Sequence, residues 1–212
     1  MKLKFFLISV IYFSNFCIGQ SNFIANITLD KMNVIYVGVD NPITLSTNRP
    51  SSEIECTLDN NGELKKISYS LYTIRVNSEG TYSLNIKSIS ENKNVTYYLR
   101  AKKLPVPIPH LLTNTGDSIS VANLLTAQKL ELTYVPEFDF YINTTVLRFN
   151  VLKISKSGIR TEVSNQQDLF TAETKKFISK ASPGDILIFR NIIGIDVTKE
   201  ELKIPDLVLY IY

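Results

Sequence analysis

The chain has 212 residues, with 23 Lys and Arg against 20 Asp and Glu and a formal charge of +3. Lys2 and Lys4 fall in the first 20 positions, which hold no acidic residue, so the remainder carries 21 basic and 20 acidic residues, about +1. This balance implies neither the basic footprint of a nucleic-acid binder nor a polybasic membrane patch.

Residues 1–20 read as a secretory signal peptide: Lys2 and Lys4 precede an apolar run from Phe5 to Phe16, followed by the small residue Gly19. Ser9, Ser14 and Asn15 interrupt that run, which is shorter than the roughly 20 residues of a membrane-spanning helix, so cleavage is expected near Gly19 or Gln20. Phe16 is too large for lipoprotein processing at Cys17. After cleavage Cys56 is the only cysteine, and no intramolecular disulfide can form. A lone thiol in an exported chain is most often a small buried core residue. The mature chain has room for one large domain or two small ones. With no Trp and many Tyr, Phe, Val and Ile, its composition favours strands.

In chain order, "NVIYVGV" alternates with the period of a strand, Asp40-Asn41-Pro42 stops it, and "ITLST" restarts. The stretch is a strand pair, or one strand kinked at Gly38 and Pro42. "EIECTLD", "KKISYSLYTIRV", "GTYSLNIKSI" and "NVTYYLRAKKL" follow as strands, separated by turn signals of the spacing found in immunoglobulin-like sandwiches. In "GTYSLNI", Tyr82, Leu84 and Ile86 are expected to face the core. The three prolines of "LPVPIPH", residues 104–110, lack the amide donors of a central strand, so this segment reads as a stiff linker and the domain boundary.

Beyond it come "SISV", "KLELTYV", "FDFYINTTVLRFNVLKIS", "GIRTEVS", "DILIFRNIIGIDV" and "DLVLYIY". Residues 138–154 are expected to form one long strand or a bent pair. Two short helices are expected: one in "SVANLLTAQ" capped by Ser120, and one in "TAETKKFISKA" capped by Thr171, burying Phe177 and Ile178 before Pro183-Gly184. Thr198 with Glu201 suggests a capping box for one short turn. The fold class is therefore mainly β: two tandem immunoglobulin-like or sandwich domains, 22–103 and 104–212, the second with one or two short helices.

Residues able to do chemistry are few. His110 is the only histidine, and it reads as an exposed linker residue, because no Gly-x-Ser-x-Gly elbow accompanies it and Cys56 belongs to the other domain. One His and one Cys cannot hold a transition metal, and no calcium loop appears. Asp139, set between apolar residues, reads as an outward strand residue rather than a catalytic acid. Two acids meeting in space, as in glycosidases, stay open to any sequence. Asn26-Ile-Thr28, Asn94-Val-Thr96 and Asn143-Thr-Thr145 match the glycosylation sequon, a motif short enough to recur by chance. No catalytic, cofactor or metal residue is assigned.

Five segments in order, "KMNVIYVGVDNPI", "GTYSLNI", "YYLRAKKLPVPIP", "EFDFYINTTVLRFNV" and "PGDILIFRNI", together with the terminal "DLVLYIY", resemble the C-terminal region of the GldM/PorM family. That family forms the periplasmic shaft of Bacteroidota gliding motility and type IX secretion. The resemblance implies two tandem β domains, a periplasmic or cell-envelope location, and a docking role toward ring or shaft components, with a homodimer as one implied assembly. The family's N-terminal membrane helix and helical domain have no counterpart in the match, so energy coupling is not carried over, and "LPVPIP" lacks an expected acidic residue. The expected function is thus a non-catalytic exported adaptor, binding no nucleic acid and spanning no membrane once processed. Exposed strand edges or the apolar C-terminal strand are the expected pairing elements. The alternative is a surface adhesin or glycan-binding module, supported by Tyr-rich "SYSLYT" and "TYY" and weakened by the lack of Trp.

Overall fold

The computed structural model describes residues 22–28, 33–113, 116–136, 138, 140 and 142–212. Residues 1–20, read above as a signal peptide, Lys31-Met32 and Asp139 lie outside the described residues. The chain folds as two compact units, one ending at Lys102 and the other beginning at Lys103.

The first unit is a sandwich. One sheet has the order β1 (Ala25–Thr28), β3 (Asn41–Thr47), β6 (Leu71–Arg75), β5 (Glu63–Lys66); the other runs β2 (Val34–Tyr36), β8 (Lys93–Lys102), β7 (Gly80–Ser88), β4 (Ile54–Leu58). All pairings are antiparallel except β2 with β8, which are parallel. This is the immunoglobulin arrangement with its first strand divided between the sheets. Alternation builds the core: Ile35, Ile43, Ile74, Leu84, Ile86 and Leu99 are buried between the layers. Tyr82, Leu84 and Ile86 face inward as expected, and the Tyr82 hydroxyl donates to Ser78 O, four residues upstream, at 3.1 Å. That bond has the form of the tyrosine corner of such sandwiches.

The stretch 34–47 is a strand pair, but its strands lie in different sheets. The crossing is made where Val37 N donates to Lys102 O and Gly38 N to Val76 O, each at 2.9 Å, with Gly38 at φ +80°. A side chain at Gly38 would be strained in that conformation. Asn41 then locks the crossing. Buried to 2%, it accepts from Tyr36 N at 2.7 Å and donates to Tyr36 O, Val39 O and Ile74 O at 2.9 to 3.1 Å. "KKISYSLYTIRV" is likewise divided, into the hairpin of β5 and β6.

The second unit is built on a six-stranded sheet. Its order is β10 (Ser118–Ile119), β16 (Leu207–Ile211), β14 (Ile186–Ile195), β12 (Thr145–Ile154), β13 (Arg160–Asn165), with β15 (Glu201–Ile204) paired to the far half of β14. One face packs Phe149, Val151, Leu187, Phe189 and Leu209 against a second layer. That layer comprises the pair β9 (Ile108–His110) and β11 (Glu131–Thr133) and the helices α1 (Val121–Thr126) and α2 (Ala172–Ile178). Both helices start at the expected caps: Ser120 Oγ accepts from Asn123 N, and Thr171 Oγ1 from Thr174 N, each at 3.2 Å. Ile178 is buried and Phe177 half-buried. Fully buried Asn165 ties α2 to β13, accepting from Thr171 N and Thr174 Oγ1 and donating to Gln167 O and Leu169 O.

Several expectations change here. The segment 138–154 becomes a strand only from Thr145, and β12 is irregular in register between Val146 and Arg148 and again between Arg148 and Asn150. Asn191, at φ +52°, lies opposite the second irregularity, and the inward positions of β14 move there from Phe189 to Ile192. Phe138 and Phe140 instead form an aromatic chain with Tyr134, with neighbouring centroids 4.9 and 5.3 Å apart. No capping box forms at Thr198: its amide and hydroxyl both donate to Asp196 Oδ1, turning the chain into β15. The proline segment is linker only to Pro107, because Ile108-Pro109-His110 pairs with β11. A two-stranded ribbon leaves one edge of β9 unpaired, which tolerates Pro109.

Candidate interaction surface

The few residues with reactive potential are placed apart from one another. His110 is half-buried at the end of β9, its Nδ1 2.6 Å from Leu112 O, and not in an exposed linker as the sequence suggested. Cys56 stands on β4, the strand on which antibody domains bury a Trp. It lies against Tyr72 and lines, with Ile43, Leu64 and Ile86, a small internal void. Burial pushes the Cys56 thiol up, and burial together with Cys56 pushes the Tyr72 phenol up to about 12. No cluster of three or more His, Cys, Asp or Glu able to hold a metal occurs among the described residues.

The Tyr72 shift has a measurable consequence. A folded-state value above the ordinary tyrosine value of 10.0 means that stability from this group is intact below pH 10 and is lost as pH rises toward about 12. Ultraviolet titration is expected to show late-ionising tyrosine absorbance, since burial also pushes the Tyr134 phenol up, and Tyr72→Phe should remove the component near pH 12. Cys56 should resist thiol reagents at neutral pH until the first unit is unfolded with urea.

The sheets differ in what they show to solvent. In the first unit the outer face of β1, β3 and β6 carries Asn26, Thr28, Pro42, Thr44, Ser46 and Thr73, and that of β7 and β8 carries Thr81, Asn85, Lys87, Asn94, Thr96 and Arg100. Both are solvated faces. Asn94 and Thr96 of one sequon are held there by Asn85, whose Oδ1 accepts from Thr96 Oγ1 at 2.7 Å.

In the second unit the outer face of the sheet is apolar at its centre. Cross-strand register aligns Tyr210, Ile186 and Ile154 in one row and Val208, Ile188 and Leu152 in the next. Tyr210 is 51% exposed, Val208 is exposed, and the other four are half-exposed beside them. Arg190 and Glu162 close one end with a two-point ion pair at 2.9 and 2.6 Å, which holds the Glu162 carboxyl below its usual range, while Arg160 flanks the other end. An apolar centre with a charged rim is the anatomy of a protein interface.

The C-terminal strand is less available as an edge than expected, while β1, β5, β2, β4 and β13 end their sheets. The C-terminal strand β16 lies between β14 and β10 and is not an edge. Tyr212 N donates to Ile119 O, and its carbonyl accepts from Val121 N. What "DLVLYIY" offers is the outward side of Val208 and Tyr210, a face rather than a backbone ladder.

The Tyr-rich segments divide. Tyr72 and Tyr97 point inward, Tyr97 donating to Ala25 O at 2.7 Å, whereas Tyr69 and Tyr98 are 71% and 65% exposed. Tyr69 stands at an open groove of about 310 Å³, with Ser46, Thr47, Ser51, Ile54 and Ser70 among its walls.

These features define a protein of tandem β domains whose second unit carries an apolar sheet face that no described residue covers. The model of the GldM third domain matches residues 24–102, and that of the GldM C-terminal domain matches residues 105–209. The chain belongs to the GldM family, matching the C-terminal part of the shaft of the gliding and type IX secretion machinery, an envelope-associated family. No curated protein matches it. Among solved structures, domains 4 and 5 of the S-layer protein SbsC align at 14% identity and TM-score 0.33, over 89% of this chain and 97% of that one. Yersinia pseudotuberculosis InvD aligns at 9% identity and TM-score 0.29, over 89% and 68%. The Bacteroides ovatus protein SGBP-B, solved with a mixed-linkage heptasaccharide, aligns at 12% identity and TM-score 0.27, over 74% and 47%. At such scores these likenesses carry no argument about function. Among the described residues no helix is long and apolar enough to cross a membrane.

Proposed function

We propose that this chain is a non-catalytic adaptor of the cell envelope, exported with loss of the leader 1–20 and working as two domains, 22–103 and 104–212, joined at the proline segment 104–110. Its second domain docks a protein of the gliding and type IX secretion machinery, a shaft or ring component. The reading rests on the apolar outer face formed by β12, β14 and β16, together with membership of the family. Burying six apolar side chains against a complementary surface supplies the association energy, and the Arg190–Glu162 rim sets orientation.

The test is crosslinked co-purification from the protein's own cells, comparing the unaltered chain with the double substitution Val208→Asp and Tyr210→Ser. Both side chains are exposed, so circular dichroism should stay unchanged. Recovery of shaft or ring components is expected to fall at least tenfold, as for residues central to an interface. Equal recovery would remove this face from the reading. Light scattering covers the other occupant: a wild-type dimer that the double variant converts to monomer assigns the face to a second copy.

A second reading, a surface glycan-binding module, is favoured by the groove at Tyr69. There binding on a glycan array would be lost in Tyr69→Ala and retained in the Val208/Tyr210 double variant.

A further inference from the structure

Folding concentrates charge that the composition averages away. The β12–β13 hairpin, residues 153–160, and the segment 175–180 around the end of α2 contain six basic residues and no acidic one. The fold brings them to one end of the second unit: Lys153 Nζ donates to Lys180 O at 3.0 Å and lies 6.0 Å from the Phe177 ring centroid. Lys156 lays its aliphatic chain on Gly184, and Arg160 pairs across the hairpin with Ile154. Lys176 is one turn before Lys180. None of Lys153, Lys156, Arg160, Lys176 and Lys180 is in an ion pair among the described residues. The neighbouring carboxylates are committed elsewhere: Asp185 is buried and accepts from Lys156 N and Ser182 N, and Glu162 is held by Arg190. Glu173 lies in the first turn of α2, away from the basic end.

Beside the tip of this hairpin stands Ile159, 64% exposed, opposite Ser155 at the base of the turn Lys156-Ser157-Gly158. The turn that presents it is tight: Ser155 N donates to Ile159 O at 2.9 Å, Gly158 N to Ser155 O at 2.7 Å, and Ile159 N to Ser155 Oγ at 3.0 Å, with Gly158 at φ +84°. The turn thus holds an apolar side chain out in water at the same end of the unit as these cations. We infer that this end is a peripheral membrane-binding tip, in which Ile159 enters the headgroup region of an anionic bilayer while Lys156, Arg160, Lys176 and Lys180 meet lipid phosphates. A nucleic-acid backbone would use the cations but leave Ile159 without a role. Each Lys or Arg near an anionic leaflet adds roughly 1 kcal/mol, about fivefold in affinity, and an inserted apolar side chain adds area-dependent binding.

The test uses the mature full chain and vesicles of phosphatidylcholine with about a third phosphatidylglycerol, compared with pure phosphatidylcholine. Co-sedimentation is expected on the anionic vesicles only, and is expected to disappear as salt rises from about 0.1 M to about 1 M, where the screening length falls from about 10 Å to about 3 Å. The triple variant Lys156→Gln, Lys176→Gln, Lys180→Gln alters exposed residues outside the apolar face and should bind on the order of a hundredfold more weakly. Because the chain has no Trp, Ile159→Trp places a single reporter beside the hairpin tip, and its emission should shift to the blue on anionic vesicles. An unshifted emission, equal binding to neutral vesicles, or an unchanged triple variant would overturn the inference. So would abolition of vesicle binding by about 10 mM inorganic phosphate at constant ionic strength, which would assign the cations to a free-anion site. None of these readouts involves Val208 or Tyr210, so they stand or fall apart from the adaptor reading.

Discussion

Replacing Asn41 by Ala is expected to destabilise the first unit by about 3 kcal/mol or more, from the loss of four bonds around a buried amide. The amide satisfies the backbone where the chain leaves one sheet and enters the other. Without it, Tyr36 N and the carbonyls of Val39 and Ile74 lose their partners in a site that water reaches poorly. Asn41→Asp separates the parts of this effect. It keeps an acceptor for Tyr36 N but sets a carboxylate against three carbonyl oxygens, so it should be at least as destabilising. Urea unfolding gives the magnitude, and hydrogen exchange at the Tyr36 amide gives the location. An Asn41→Asp variant as stable as the parent would show that the three donated bonds contribute nothing.

The second large effect is expected at Phe189. It is fully buried, with ring centroids 5.8 Å from Phe149 and 6.0 Å from Phe170, and these three rings join β12, β14 and the segment entering α2. Phe189→Ala should cost about 3 to 5 kcal/mol, combining lost burial with a cavity that a central strand cannot collapse to fill. Phe189→Leu should cost about 1.5 kcal/mol, because most of the volume is kept. Both are read from urea midpoints of the full chain. Phe189→Ala should also weaken partner recovery through the fold alone, since its side chain lies on the face opposite Val208 and Tyr210.

The residues of the apolar outer face were in plain view as strand residues, yet their exposure was not. A strand that alternates buried and exposed residues announces its period, and "DILIF" and "DLVLYIY" are apolar on both sides of that period. Continuous apolarity marks a strand covered on both faces, but one chain does not say what supplies the second cover. The sheet answers by leaving that side open. Similarly, "DLVLYIY" at the chain end invites reading as a free edge, and the two-residue β10, too short to signal itself, occupies the far side of the strand.

Local chemistry was legible wherever the signal lay within a few residues: the caps at Ser120 and Thr171, the inward set Tyr82, Leu84 and Ile86, and the ordered segments that match the GldM third and C-terminal domains, whereas the break expected at Asp40-Asn41-Pro42 falls at residues 37–39 and Asn41-Pro42 open β3. These depend on backbone conformation and side-chain period, which neighbouring residues determine. Tertiary structure alone decided which sheet each half of 34–47 joins, and that Thr198 turns on Asp196 rather than capping a helix. It also placed His110 in a ribbon, and it brought basic residues of the β12–β13 hairpin and of the end of α2 to one end of the unit in a nearly neutral chain. Each of these is a pairing between distant segments, selected by the free energy of burying whole faces together, and that energy is a property of the assembled core rather than of any window of sequence.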